Sequence, residues 1–105
     1  MKKTLLAFML SLCLHSYAAT GESFLWASER NELSGMAYIA AVVDYNGLLA
    51  AGGGTPEFCA PDGVSSKQQL EVVRQYIKKD PKSWNYSAWD LVREALAEAW
   101  PCGKK

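Results

Sequence analysis

Histidine is the side chain that most often serves as a general base or metal ligand near neutral pH, and this chain has one, His15. It lies in a stretch that reads as an export leader, so the part of the chain that acts is expected to contain no imidazole. That removes the Ser/His and Cys/His nucleophile pairs and histidine-ligated metals. Gly52-Gly53-Gly54 lacks the Lys-Ser/Thr that completes a phosphate-binding loop. Carboxylates remain, and they alone leave catalysis open in principle. The expectation is a protein with no catalytic residue, no metal and no cofactor, which acts by binding.

The residue types that would bind sit mainly near the C-terminal end. Lys79-Asp80-Pro81-Lys82-Ser83-Trp84-Asn85-Tyr86 combines a Pro-stiffened turn, basic groups and two aromatics, a composition typical of interface hot spots. Lys79, Lys82, Ser83, Trp84, Asn85 and Tyr86 are therefore the candidate partner-binding residues. Trp84, with polar neighbours, is expected to be exposed, while Tyr86 could equally cover the core. Trp89, Leu96 and Trp100 widen the apolar side of the last helix to about 180°, where one core-facing stripe needs little over 100°. Either that helix packs on two sides or the flank is a dimer or partner surface, with Arg93 placed to lie over the Trp89 indole. Asp44 interrupts an apolar helix. Its readings are a buried pair with Arg74, Arg93 or a backbone donor, a partner contact, or simple exposure. The flexible Ala50–Glu57 stretch is the competing binding loop.

The leader is read from Lys2 and Lys3, the apolar run from Thr4 to Leu14, and the small-x-small signal Ser16-Tyr17-Ala18, which places cleavage before Ala19. Its apolar run is too short to span a bilayer, no later uninterrupted run reaches about twenty residues, and Leu12 before Cys13 argues against a lipid anchor. Removing Lys2 and Lys3 leaves 9 Lys and Arg against 11 Asp and Glu, a net charge of about −2 with no basic cluster, which disfavours nucleic acid as a partner. Of three cysteines, Cys13 leaves with the leader. Cys59 and Cys102 remain as a pair in an oxidising compartment, so one disulfide is expected. It closes a loop of about 42 residues, worth roughly 4 kcal/mol in the chain-entropy treatment, a large contribution for a domain this small.

The elements that must position these residues read as all-α. Residues 1–18 are assigned to the leader and 19–105 to one helical domain: a short N-terminal helix near Glu22, then three main helices at about 28–51, 66–80 and 87–100. The first of these is apolar around its whole circumference, the pattern of a buried helix. Ser65 and Ser66, each followed three residues later by glutamine, offer two registers of a capping box for the second. Asp80-Pro81 ends it, and Pro101 ends the third.

Phe58-Cys59-Ala60-Pro61-Asp62-Gly63-Val64, then Gln69, Val72-Val73, Tyr76-Ile77, Pro81, Ala88, Leu91-Val92, Ala95-Leu96 and Ala99-Trp100-Pro101-Cys102 resemble the Rap/Tai family of resistance-associated and type VI amidase immunity proteins. Tyr38-Ile39, Val42-Val43 and Asp44 resemble its Tyr-Ile-x-Gly-Val-x-Asp segment, with Ala41 in place of the usual Gly and Trp100 in place of the more usual Phe. The likeness spans roughly residues 33 to 102. It departs where family members often carry a second cysteine pair, since Gly35 and a residue near Ala27 stand at those places. The resemblance implies a periplasmic, homodimeric immunity protein that inhibits a type VI secreted peptidoglycan amidase by covering its active-site groove, with no membrane association after leader cleavage. The reading from another class is a periplasmic helical chaperone or stress protein.

Overall fold

The computed structural model describes residues 19–103; the expected leader, its cleavage signal and the last two lysines lie outside the described residues. Among these residues there are four α-helices and no strand: α1 (Gly21–Arg30), α2 (Glu32–Ala51), α3 (Ser66–Lys79) and α4 (Ala88–Ala99), with a 3-10 turn at Pro81–Ser83. The all-α bundle expected from the sequence is present.

The continuous helix expected over 28–51 is broken at Asn31. Its backbone is extended (φ −147°, ψ 102°), its N–H closes α1 on the Ala27 carbonyl, and its side chain accepts from Leu33 N–H at 3.0 Å to start α2. Asn offers the backbone a hydrogen bond outside the helix, so it caps where apolar periodicity alone would run on. In α3 the choice between the two capping registers falls on Ser65, whose hydroxyl accepts from Gln68 N–H at 3.0 Å.

One core joins all four helices. Phe24 and Leu25 enter it from α1, Ile39 and Val42 from α2, Leu70, Val73 and Ile77 from α3, and Leu91, Val92, Ala95 and Leu96 from α4, with Phe58 from the loop after α2. Each helix buries one stripe at three- and four-residue spacing, and α2 is no exception. Only Gly35, Ile39 and Val42 of that helix are buried, whereas Leu33 and Leu48 are 70% and 72% exposed. The expectation of a helix buried on all sides is thus corrected: three neighbours in a four-helix domain cover one side of it.

Gly35 shows how α1 and α2 come close. A Cβ there would stand 2.7 Å from Ser28 Cβ and 2.7 Å from Leu70 Cδ1. Ser28, fully buried, turns its hydroxyl onto the Leu25 carbonyl at 3.2 Å. Gly35, one of the two positions where the resemblance departs from a second cysteine pair, thus packs against Ser28, the residue after Ala27. The expected disulfide is formed between Cys59 and Cys102, with Cα atoms 4.8 Å apart. It joins the loop leaving α2 to the end of α4, and Cys59 N–H also donates to the Trp100 carbonyl at 2.8 Å.

Candidate partner-binding surface

The loop from Lys79 to Ser87 is held by backbone hydrogen bonds on both sides. Asp80 ends α3, and Pro81, with its fixed φ, opens the 3-10 turn. Ser83 is buried and donates its hydroxyl to the Asp80 carbonyl at 2.8 Å, while Tyr86 N–H donates to the Ser83 carbonyl at 2.9 Å. The chain then meets the start of α1. Gly21 N–H donates to the Tyr86 carbonyl at 3.0 Å, Glu22 N–H to the Trp84 carbonyl at 2.9 Å, and Ala88 N–H to the Ala19 carbonyl at 2.8 Å. Thr20 and Ser87 form an antiparallel bridge.

The first N–H groups of a helix lack partners within it. Here Gly21 and Glu22 find theirs in the loop, while Thr20 receives Ser23 and Phe24. The same bonds that complete α1 immobilise the loop, and a pre-ordered loop loses less entropy on binding. Gly21 favours this approach, because a Cβ there would fall 2.6 Å from Leu91 Cδ1 and 3.3 Å from the Trp84 carbonyl oxygen.

On this frame the candidate residues divide. Lys79, Lys82, Asn85 and Tyr86 face solvent, with Tyr86 58% exposed. Ser83 lies inside the turn. Trp84, expected to be exposed, is half-buried: it packs on the core and its indole N–H donates to the Ile77 carbonyl at 2.7 Å. The α3 carbonyls near Asp80 lack intrahelical donors, and an indole N–H five residues past the helix end supplies one.

Trp84 also walls a hollow of about 230 Å³ together with Leu25, Trp26, Glu29 and Lys78. Trp26 was not singled out by its sequence setting, yet it is 61% exposed, with the Arg30 guanidinium 4.4 Å above its ring. The Trp-x-x-x-Arg spacing on the polar side of a short helix is the signal that could have found it. Glu29 beside it pairs with Lys78 at 3.2 Å and with Arg74 at 3.7 Å. On the other side of the loop Tyr76, Lys79, Ser83, Tyr86 and Glu94 line a hollow of about 250 Å³. It adjoins a larger one, about 390 Å³, between α3 and α4. Burial, then the Glu94 carboxylate, hold the Tyr76 phenol above its usual range, so its hydroxyl remains a donor, to Glu94 at 3.2 Å.

The flank proposed from Trp89, Leu96 and Trp100 is not an open surface. Leu96 is fully buried in the core, and Trp89 and Trp100 are half-buried against it. Trp89 meets the edges of Tyr38 and Tyr45 with ring centroids 6.3 and 5.7 Å away. The wide apolar arc of α4 exists because the helix packs on two sides, towards α3 and towards α2. Arg93 does not cover Trp89. Its guanidinium grips Glu57 through two hydrogen bonds, one of them 2.7 Å, and Asp90 through a third at 2.9 Å. This pairing holds the Glu57 carboxyl below its ordinary range. Asp44 is exposed and, among the described residues, makes no ion pair, so the buried-pair reading is replaced by exposure.

The Gly-rich loop is tied at its far end. Asn46 donates its amide to the Phe58 carbonyl at 2.9 Å and accepts from Glu57 N–H at 2.7 Å. Gly53, with φ +84°, takes a left-handed conformation that suits glycine, and Gly52, Gly53, Gly54 and Thr55 are exposed. Among the described residues no group of three or more His, Cys, Asp or Glu is placed to hold a metal. The described surface around the loop carries exposed Trp26, Lys79, Lys82 and Tyr86.

The family model described as Rap1a immunity proteins matches residues 9–102. No curated protein and no solved structure matches.

Proposed function

Because the chain belongs to the Rap1a immunity protein family, whose members neutralise a cognate toxin, we propose that it is a periplasmic immunity protein that binds and inhibits a type VI secreted peptidoglycan amidase. In this reading the loop from Lys79 to Tyr86 covers the amidase's active-site groove. The observation that carries the contact assignment is the backbone lock between that loop and the start of α1, which leaves Tyr86 exposed on a pre-ordered support. Tyr86 is the anchor, with Lys82 and Asn85 beside it. Trp84 and Trp26 form the adjoining wall, and Ser83 shapes the turn from within. Lys79 and Lys82 steer the encounter more than they hold the complex. The disulfide and the family fit an oxidising, extracytoplasmic site of action, and a homodimer is part of the same reading.

The test is inhibition of peptidoglycan cleavage by the cognate amidase with the mature protein, together with affinity and thermal unfolding of variants. Stoichiometric inhibition is expected. Tyr86→Ala should weaken binding about thirtyfold, the effect of losing about 2 kcal/mol at an interface centre, with an unchanged melting temperature. Trp84→Ala should lower both. Unchanged affinity in Tyr86→Ala would overturn the loop assignment and move it to the Gly-rich loop or to α3. The exposed apolar side of α2 is the one observation that favours the chaperone reading. Suppression of aggregation of unrelated unfolded proteins, without amidase binding, would establish that reading instead.

A further inference from the structure

We propose that the hollow walled by Trp26 and Trp84 is a binding site for one neutral sugar ring of a glycan chain, stacked on indole and held at its edge by Glu29 and Lys78. The hollow measures about 230 Å³ and is completed by Glu22 and the nearly buried Leu25. Glu22, Leu25, Trp26 and Glu29 lie on one side of α1, at three-, four- and seven-residue spacing. Lys78 comes from the last turn of α3 and Trp84 from the residue after the 3-10 turn.

The site is ordered before any ligand arrives. Trp84 is fixed by its indole N–H on the Ile77 carbonyl at 2.7 Å. Trp26 is braced by the Arg30 guanidinium, 4.4 Å over one face of its ring, so the opposite face is left uncovered by that cation. Glu29 stands between Lys78 at 3.2 Å and Arg74 at 3.7 Å, which gives its carboxylate a defined direction. The Lys78 ammonium has three N–H donors and keeps some of them free beside that pair. A pyranose ring carries C–H bonds over its faces and hydroxyls around its rim. The first suit an indole face, which is negative. The second need donors and acceptors together, and Lys78 with the two glutamates supplies both.

Charge decides against other ligands of this size. A cation of the kind held by aromatic cages would meet Lys78, with Arg30 already on the Trp26 ring. An anion would meet Glu22 and Glu29. An aliphatic side chain would displace water from the Glu29–Lys78 pair without replacing its hydrogen bonds. The hollow is smaller than the pockets of about 300–1,000 Å³ that enclose drug-sized ligands, so it holds one ring and leaves the rest of a chain in solvent. A ring of about fifteen heavy atoms at ordinary ligand efficiency gives a dissociation constant on the order of 1 mM. The site rests on this geometry and not on the amidase reading. Where that reading holds, the site would keep the inhibitor on the glycan strands among which a peptidoglycan amidase works.

The test is a titration of the mature protein, with no toxin present, using the trimer of N-acetylglucosamine and, separately, maltotriose, each to about 10 mM. The indole N–H signals in nitrogen–proton correlation spectra report the site. Those of Trp26 and Trp84 should move together and approach saturation, while those of Trp89 and Trp100 stay in place. The trimer that binds more tightly identifies the source as an amino-sugar or a glucose polymer. Trp26→Ala should weaken binding at least about tenfold, with an unchanged melting temperature because the residue is 61% exposed. Glu29→Gln, which leaves both indoles in place, should weaken it about three- to tenfold. No movement with either sugar, movement that persists in Trp26→Ala, or tighter binding of tetramethylammonium or acetate than of both sugars would overturn the proposal. Amidase inhibition is read separately: an inhibitor that binds neither sugar overturns this site alone, and a sugar-binding protein that fails to inhibit overturns the functional reading alone.

Discussion

Two loops leave the helices of this domain, and they are held by different chemistry. The one from Gly52 to Ser65 is fixed mainly through side chains: a disulfide at Cys59, the Asn46 amide at both ends of Glu57-Phe58, and the Arg93 guanidinium on Glu57, beside one main-chain bond from Cys59 to Trp100. The one from Lys79 to Ser87 is fixed mainly by main-chain hydrogen bonds to residues 19–22. A loop held through its backbone can vary its outward side chains without losing its shape. A loop held through side chains cannot, because each substitution at an anchor releases part of it. Recognition that must track a changing toxin surface is better placed on the first kind, and structural closure on the second.

The largest way to break this contrast is to remove the covalent anchor. Cys59→Ser should destabilise the domain by about 2–5 kcal/mol, measured by urea unfolding, and the cost should fall on the side-chain-held loop and the end of α4. Hydrogen exchange in Cys59→Ser should rise near Phe58 and Trp100 while protection at Gly21, Glu22 and Ala88 persists. Equal loss of protection in both regions would mean that the two loops form one cooperative unit.

Next in size is an attack on the backbone lock. Gly21→Ala gains up to about 1 kcal/mol of helix propensity. It also drives a methyl against Leu91, which is 2% exposed and has little room to yield. Overpacking of this kind costs typically 1–3 kcal/mol. A net loss of about 1 kcal/mol in unfolding free energy is expected, with weaker binding of the proposed amidase partner as the loop shifts. The matching change Gly54→Ala, in the other loop, should leave amidase affinity unchanged.

These two anchors differ in how far the sequence reveals them. The disulfide is legible because Cys59 and Cys102 are the only cysteines after Cys13. The helices were legible from apolar spacing, and the turn at Pro81 from the fixed φ of proline. The lock between residues 19–22 and 84–88 was not, since it is made of backbone groups that every sequence contains. The break at Asn31 was missed because a long apolar pattern outweighed one capping residue. At the candidate surface the aromatics of the loop are legible, but Trp84 is half-buried through a bond to a helix-end carbonyl, and Trp26 lies on a helix too short to mark it. Leu96 shows the limit of a helical wheel, which gives the width of an apolar arc and not the number of neighbours covering it.

The smallest expected effect sharpens the comparison through pH. Glu57 is held below the ordinary carboxylate range, first by its hydrogen bonds to Arg93 and then by the guanidinium charge, against a partial offset from burial. A carboxyl whose pKa is lowered on folding contributes stability that is full above its unfolded value, about 4.3, and is lost as the pH falls through the folded value below it. The side chains of Arg93 and Glu57 are about one-third exposed, so solvent screens the pair and Glu57→Gln should cost only about 1 kcal/mol near pH 7. As the pH falls below about 4.3 the wild-type protein should lose that margin and the two unfolding free energies should converge. A parallel offset at all pH values would show that the clasp acts by shape alone. The main-chain lock on the other loop contains no titrating group, so protection at Gly21 and Glu22 should be unaffected by the Glu57→Gln change at every pH in that range.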